Sequence, residues 1–136
     1  LKVAEEEIVY VRNGVFKKWV PKVYQHTCAI SKMKLVSTFG YSLIDACHIR
    51  PFADNQDDRV SNGIALCPNL HRAFDRGLIS IDSDYKVIVS DQIVENKSHP
   101  YGLEKLKGTQ ILLPSEKHLW PDQSNLEWHR KNRFSK

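Results

Sequence analysis

The sequence predicts a small α+β protein, built from short strands around one short helix. Its 136 residues are enough for one compact domain, which we expect to span residues 1–136. Apolar residues make up 41% of the chain and charged residues 26%, as in soluble globular proteins and unlike disordered chains. The strand-like runs in the middle of the chain are too short for a doubly wound sheet. No run of about 18 apolar residues is present, so no membrane span or membrane partner is expected.

The N-terminal region predicts a helix over residues 13–24. Val15, Trp19 and Val23 recur at a spacing of four, and lysines occupy the opposite face. Pro21 is expected to bend this helix or to end it early, because proline lacks a backbone N–H and its ring crowds the preceding turn.

The middle of the chain predicts a hairpin followed by a helix. Short strands are expected at residues 27–30, 42–49 and 63–67, a polar turn at 31–34, a polar loop at 52–61 and a helix at 69–76. Pro68 suits the first turn of that helix, and Gly77 suits the position just after its end.

The C-terminal half predicts a second hairpin and a terminal helix. Strands are expected at residues 78–82, 86–90 and 109–113. The terminal helix is predicted at residues 124–134, with Ser124 as its N-cap and Glu127 three residues later as the second member of a capping box. A helix at each end therefore flanks the central hairpin.

The basic residues are unevenly distributed. The net charge is +4, which alone only weakly favours a polyanionic partner. Residues 9–43 contain six basic residues and no acidic one, and the last nine residues contain four more basic residues without an acid. These two stretches are either solvated helix faces or a surface that faces phosphate groups.

The three cysteines, Cys28, Cys47 and Cys67, are widely spaced. An odd number of cysteines without a C-x-x-C pair argues against a disulfide framework and against a four-cysteine zinc site. A reducing, cytoplasmic location fits this pattern best.

Two histidines and one asparagine occupy the predicted hairpin and helix. His48 ends the first strand, Asn62 precedes the second strand, and His71 lies in the helix that follows. A helix packed across the hairpin would let both imidazoles face one crevice, where they could bind a metal or act as a general base. The amide of Asn62 could tie the loop backbone together. With basic residues nearby, the pattern indicates a hydrolase that acts on phosphate with a metal and a base.

The spacing His48-x13-Asn62-x8-His71 resembles that of the HNH endonucleases. The surrounding sequence, NGIALCPNLHRAFDRGLIS, is similar to that of the branch found in bacterial restriction endonucleases. Cys28-Ala29-Ile30 and residues 126–130 also resemble that branch. The resemblance implies a ββα-metal core at about residues 42–77. It also implies that His48 is the general base, that Asn62 holds the loop that positions His48, and that His71 is a metal ligand. One divalent ion (Mg, Mn, Ni or Zn) would stabilise the charge that develops during phosphodiester hydrolysis.

The sequence departs from the common HNH pattern at the position before the base. Many members have an aspartate there as a second metal ligand, whereas this chain has Cys47. The expected metal ligands are therefore His71, Asp45 and Cys47, and Asp75, one helical turn after His71, is a further candidate. A thiolate ligand would favour zinc or another soft metal over magnesium.

Three arginines are expected near the phosphate. Arg50 follows the first strand, and Arg72 and Arg76 lie on the helix beside His71. Ion pairs with Asp54 or Asp75 are the alternative role for these side chains.

We expect a metal-dependent DNA endonuclease domain from a bacterial restriction or defence enzyme. The alternative is an HNH module that binds metal or nucleic acid without cleaving it. Because the sequence starts at Leu1 and contains no complete base-reading motif, we also expect a specificity domain elsewhere in a larger protein. Cleavage of both strands would require two successive nicks or two copies, as in a homodimer.

Overall fold

The computed structural model describes residues 15–136, so residues 13 and 14 of the predicted first helix and the basic residue Arg12 lie outside the described part. The described helices are α1 (Val15–Val23), α2 (Phe52–Asn55), α3 (Pro68–Asp75) and α4 (Gln123–Asn132), and the strands are β1 (Asp45–His48), β2 (Gly63–Leu66), β3 (Ile79–Ile81) and β4 (Val87–Val89). Three 3₁₀ turns complete the regular structure, at Val60–Asn62, Glu104–Leu106 and Lys117–Leu119. This arrangement confirms the α+β class and the ββα core.

The central hairpin pairs β1 with β2 in antiparallel register. Asp45 lies opposite Leu66 and His48 lies opposite Gly63, so the base of the connecting loop falls directly after His48. All four residues of β2 are buried, which makes this strand the centre of the core. Helix α3 follows immediately and lies against both strands.

The segment predicted as a polar loop at residues 52–61 contains two short helical elements. Helix α2 and the 3₁₀ turn at Val60–Asn62 interrupt it, so the prediction of a polar loop over 52–61 holds only for residues 56–59. The cause is local: Arg50 forms an ion pair with Asp54 across one helical turn, and Val60 is an apolar side chain that the core buries. The loop is therefore an ordered structure.

Helix α1 packs across the hairpin at a point where a glycine permits close approach. A Cβ atom on Gly63 would lie 2.6 Å from Val20 Cγ2 and 2.8 Å from Phe16 Cε1. The helix runs through Pro21 to Val23, two residues further than an early end at the proline would allow. Because Pro21 lies in the last turn and is itself buried, the missing N–H costs one hydrogen bond and the ring contributes to packing.

Residues 27–43 are held by isolated bridges in place of the strand predicted at 27–30. The bridges join Thr27 to Lys34 and Val36 to Ser42. The backbone of Ala29 explains why no strand forms at 27–30. Its N–H donates to the Ala65 carbonyl and its carbonyl accepts from the Leu112 N–H, so it links two separate segments. The predicted strand at 109–113 is likewise reduced to a bridge at Gln110.

The terminal helix is capped by a different residue from the one predicted. Its N-cap is Asp122, whose side chain accepts from the Ser124 backbone N–H, so the assignment of Ser124 as cap was wrong. Glu127 forms an ion pair with Lys131 and takes no part in a capping box. Asp122 is an equally good cap, and it begins the helix one residue earlier.

The second hairpin and the end of α3 confirm the sequence analysis. Strands β3 and β4 pair antiparallel, with Ile79 opposite Val89. Gly77 adopts a positive φ of 74°, as expected just after a helix, and a Cβ there would lie 2.0 Å from the Arg133 carbonyl oxygen. Among residues 15–136, no helix is long and apolar enough to cross a membrane.

Candidate active site

One open cavity of about 310 Å³ brings together the two central histidines. His48 from β1 and His71 from α3 line it, together with Asp75 on α3 and Arg133 at the end of α4. The two histidines meet there because β1 places His48 at the loop end of the hairpin, and α3, which follows β2, lies against both strands. The crevice expected from the sequence is present.

His48 is held on one ring face and at one nitrogen. Its imidazole stacks on Phe16, with ring centroids 3.8 Å apart and planes 5° from parallel, and Phe52 lies 6.0 Å away at an angle of 57°. Nε2 lies 2.6 Å from Asp58 Oδ1, and the side chain remains 27% exposed. The ring is thus immobilised but open to the cavity, as a general base must be.

Asn62 is completely buried and makes three hydrogen bonds to the loop backbone. Its Oδ1 accepts from the Arg50 N–H at 3.0 Å, and its Nδ2 donates to the carbonyls of Arg50 at 2.9 Å and Asp57 at 2.8 Å. A single side chain thereby fixes both ends of the loop that begins two residues after His48.

His71 lies between two carboxylates. Nδ1 is 3.0 Å from Asp45 Oδ2, and Nε2 is 3.2 Å from Asp75 Oδ2. The hydrogen bond to Asp75, aided by that to Asp45 and opposed by partial burial, raises the pKa of His71 to about 9. The metal-free protein therefore carries an imidazolium at this point near neutral pH.

The side chains of Cys47, His71 and Asp75 offer three ligand atoms that lie within 4.8 Å of one another. Ligand atoms around a tetrahedral ion stand about 3–4 Å apart, so small shifts would let these three converge on a metal. Cys47 is buried, its Sγ lies 3.7 Å from Asp75 Oδ1, and burial raises the pKa of its thiol well above the usual value. Metal binding through this sulfur requires release of its proton.

The expected ligand set of His71, Asp45 and Cys47 is thus only partly gathered at one point. Asp45 contacts the other ring nitrogen of His71 and lies outside the cluster, whereas Asp75 is inside it. A carboxylate on the far nitrogen of a ligating histidine orients the ring, which is the geometry seen for Asp45.

The three arginines predicted near phosphate divide into two groups. Arg72 and Arg76 line a second opening of about 350 Å³, which is also lined by Asp45 and by His71 and Asp75 of the metal cluster. Arg50 forms an ion pair with Asp54, and its guanidinium lies 5.2 Å from the Trp128 ring centroid. Arg72 and Arg76 therefore flank the candidate centre, whereas Arg50 is held by Asp54 and Trp128.

The sequence analysis did not single out Arg133 or Asp58 as site residues. Arg133 lines the cavity, donates from Nη1 to the Asp75 carbonyl at 3.2 Å and lies 6.0 Å from the Trp128 ring. The acid-free basic end of the chain was a signal for Arg133. Asp58 lies in an acid-rich loop, and no spacing rule distinguishes it from its neighbours.

His129 anchors the C-terminal helix that delivers Arg133. It is 1% exposed, its Nδ1 lies 2.7 Å from Ser80 Oγ, and its Nε2 lies 2.8 Å from the Phe74 carbonyl oxygen. Burial lowers its pKa to about 4, so it is neutral and serves as a structural clamp between α4, β3 and α3.

Residues 28–82 match the family of HNH endonucleases. Over this segment the chain is similar to an HNH domain. The match contains His48, Asn62 and His71, and it ends within the second hairpin, at residue 82. The match supports a nuclease role, and two of the three spaced residues, His48 and His71, line one cavity.

A solved structure of a modification-dependent TagI restriction endonuclease shares the fold of the HNH domain and its flanking helices. The similarity has a TM-score of 0.61 at 23% sequence identity and covers 85% of this chain. This chain spans 36% of the length of that protein. No curated protein sequence matches the chain.

Proposed function

We propose that this HNH domain is a metal-dependent endonuclease that hydrolyses phosphodiester bonds in DNA. One observation carries the proposal: His48 lines the same open cavity as His71 and Asp75, which form a cluster with the buried Cys47, so a base and a metal centre would act on one phosphate. The HNH family and the restriction endonuclease with the same fold support the choice of reaction and of substrate.

His48 is the proposed general base. Its imidazole takes a proton from a water molecule, whose oxygen attacks the phosphorus. The bond to the 3′ oxygen then breaks, and that oxygen gains a proton from solvent. The stack on Phe16 holds the ring in place for this step.

The metal would be held by Cys47, His71 and Asp75, with Asp45 orienting His71 from its other nitrogen. A thiol, an imidazole and a carboxylate form a donor set that fits one divalent ion, and the sulfur favours zinc over magnesium among Mg, Mn, Ni and Zn. When bound, such an ion supplies Lewis-acid stabilisation of the charge on the phosphate and on the leaving oxygen.

The cationic side chains around the cavity would bind the DNA backbone. Arg72 and Arg76 stand on one side of His71, and Arg133 lines the cavity with His48. Guanidinium groups suit this task because they can donate two hydrogen bonds to one phosphate. Arg50, held by Asp54 and Trp128, would contact DNA from the rim.

Plasmid nicking tests the proposal directly. Wild type, His48→Ala and the control His118→Ala, which changes an exposed histidine outside the cavity, are assayed with magnesium, manganese, nickel and zinc. We expect cleavage by wild type and by the control with at least one metal, and a loss of about 100-fold or more in His48→Ala. Equal cleavage by all three proteins would show that His48 is not the base.

The second candidate function is a module that binds metal or nucleic acid without cleaving it. It is favoured by the buried, protonated Cys47 at a position where many HNH enzymes have a carboxylate. It predicts salt-dependent DNA binding with no turnover under any metal. In either case, the choice of target would come from a specificity domain elsewhere in the protein. If the domain cleaves DNA, a homodimer would allow both strands to be cut.

A further inference from the structure

The loop between the two central strands brings one carboxylate onto the imidazole of His48. Asp58 Oδ1 lies 2.6 Å from His48 Nε2, and the Asp58 side chain is only 14% exposed. A contact this short between partly buried groups is a strong, charge-assisted hydrogen bond. It joins the proposed base to a residue with no assigned role.

The chemistry of this contact fixes which nitrogen carries the proton. A carboxylate can only accept hydrogen bonds, so His48 Nε2 must be the donor. In a neutral imidazole the other nitrogen, Nδ1, then has a free lone pair. Within the part of the chain that the structure describes, Nδ1 has no hydrogen-bond partner.

We propose that Asp58 is a positioning residue: it keeps the His48 proton on Nε2 and leaves Nδ1 as the atom that accepts a proton from water. The assignment rests on the proposed nuclease function. The stack on Phe16 fixes the plane of the His48 ring, but it does not fix which of the two orientations related by a 180° rotation the ring adopts. Rotation of the ring by 180° keeps the stack and exchanges each nitrogen with a carbon, and only the bond to Asp58 distinguishes the two states.

The backbone around Asp58 is held so that the carboxylate stays on the ring. Asn62 Nδ2 donates to the carbonyl of Asp57, the residue before Asp58, at 2.8 Å. The Asp57 side chain is itself paired with Arg59 at 2.8 Å. Asn62 therefore acts on His48 through Asp58 as well as through the loop ends.

The other acids of this loop have guanidinium partners. Asp54 pairs with Arg50 and Asp57 pairs with Arg59, whereas Asp58 contacts an imidazole. The two ion pairs stabilise the loop. The hydrogen bond that Asp58 accepts from Nε2 fixes the tautomer of His48.

Asp58→Asn is the discriminating variant, because it keeps the shape of the side chain but can present an NH₂ group to Nε2 and so favour the proton on Nδ1. We expect the single-turnover cleavage rate to fall about 100-fold or more, with DNA affinity and metal affinity within about twofold of wild type. Asp58→Glu should recover part of the rate. The control Asp84→Asn, with the same charge change at an exposed turn, should cleave like wild type.

Nitrogen-15 NMR of the chelator-treated protein supplies a readout that does not depend on activity. At a pH where His48 is neutral, wild type should show a protonated Nε2 and a bare Nδ1, and Asp58→Asn should shift the population toward protonated Nδ1. A wild-type spectrum with the proton on Nδ1, or unchanged cleavage by Asp58→Asn, would overturn the proposal. Absence of cleavage by wild type with every metal would instead overturn the nuclease function, while the spectrum still decides where the proton lies.

Discussion

The two histidines of the cavity differ in how many carboxylates contact them. His48 has one carboxylate on one nitrogen and a stacked aromatic ring, and its second nitrogen has no hydrogen-bond partner among residues 15–136, whereas His71 has a carboxylate on each nitrogen. The first arrangement leaves a lone pair for proton transfer. The second arrangement gathers negative charge, which holds a proton on His71 in the metal-free protein and suits a cation in its place. The difference assigns base chemistry to His48 and metal binding to His71.

The largest effect expected is a loss of metal affinity when the imidazole of His71 is removed. His71→Ala should lower affinity for zinc or manganese by about 100-fold or more, because it deletes a ligand and leaves two carboxylates facing each other. Asp45→Asn, which changes only the group that orients His71, should cost about 10–100-fold. Isothermal titration calorimetry measures both. Equal affinities in wild type and His71→Ala would remove His71 from the metal site.

A smaller effect is expected from disturbing the aromatic support on the base side. The Gly63→Ala methyl group would press on Phe16 and Val20, so the helix must shift away from the hairpin. We expect a loss of about 1–3 kcal/mol in the free energy of unfolding, with weaker cleavage because Phe16 supports the His48 ring. Urea denaturation measures the first quantity. A variant as stable as wild type would show that Phe16 and Val20 can move away from the added methyl group without loss of stability.

The charge on His71 also makes the stability of the metal-free protein depend on pH. The folded pKa of about 9 lies above the ordinary value of 6.5, so the stabilisation is fully present below about pH 6.5 and is lost as pH rises through 9. At this partly exposed site we expect about 1 kcal/mol after solvent screening. Thermal unfolding of wild type and Asp75→Asn between pH 6.5 and pH 9 measures this pH dependence. The stability of the variant should change less with pH than that of wild type. Metal affinity should rise over the same range, because binding displaces the proton.

The smallest effect is expected from single arginines on the cavity edge. Arg72→Ala should weaken DNA binding several-fold and reduce the salt dependence by about one phosphate contact. Arg50→Ala should change DNA binding less, because Asp54 and Trp128 already engage that guanidinium. Binding titrations at several salt concentrations compare the two. A larger loss for Arg50 than for Arg72 would reverse the order of their roles.

The parts of the site that follow from spacing could be predicted from the sequence. His48, Asn62 and His71 follow from the positions of two short strands and one helix, and Gly77 marked the end of that helix correctly. The N-cap of the last helix could not be predicted. Asp122 and Ser124 are both good N-caps two residues apart, and only the path of the chain decides between them. Backbone linkage explains the missing strand at 27–30, where Ala29 bonds to two distant segments.

The contacts that separate the two histidines could not be predicted from the sequence. Asp45 and Asp75 were both candidates for the metal, and only the direction of the His71 ring places one on each nitrogen. Asp58 reaches His48 because the loop folds into helical turns in place of the expected irregular loop. Arg133 reaches the cavity because buried His129 ties the last helix to β3 and α3.

The most direct test of the division between the histidines measures metal affinity and single-turnover DNA cleavage on the same preparation of His48→Ala. We predict that His48→Ala binds metal with an affinity within about twofold of wild type and cleaves DNA at a rate lower by about 100-fold or more. A His48→Ala protein that loses its metal affinity, or that cleaves at the wild-type rate, would contradict the assignment of His48 as base and His71 as metal ligand.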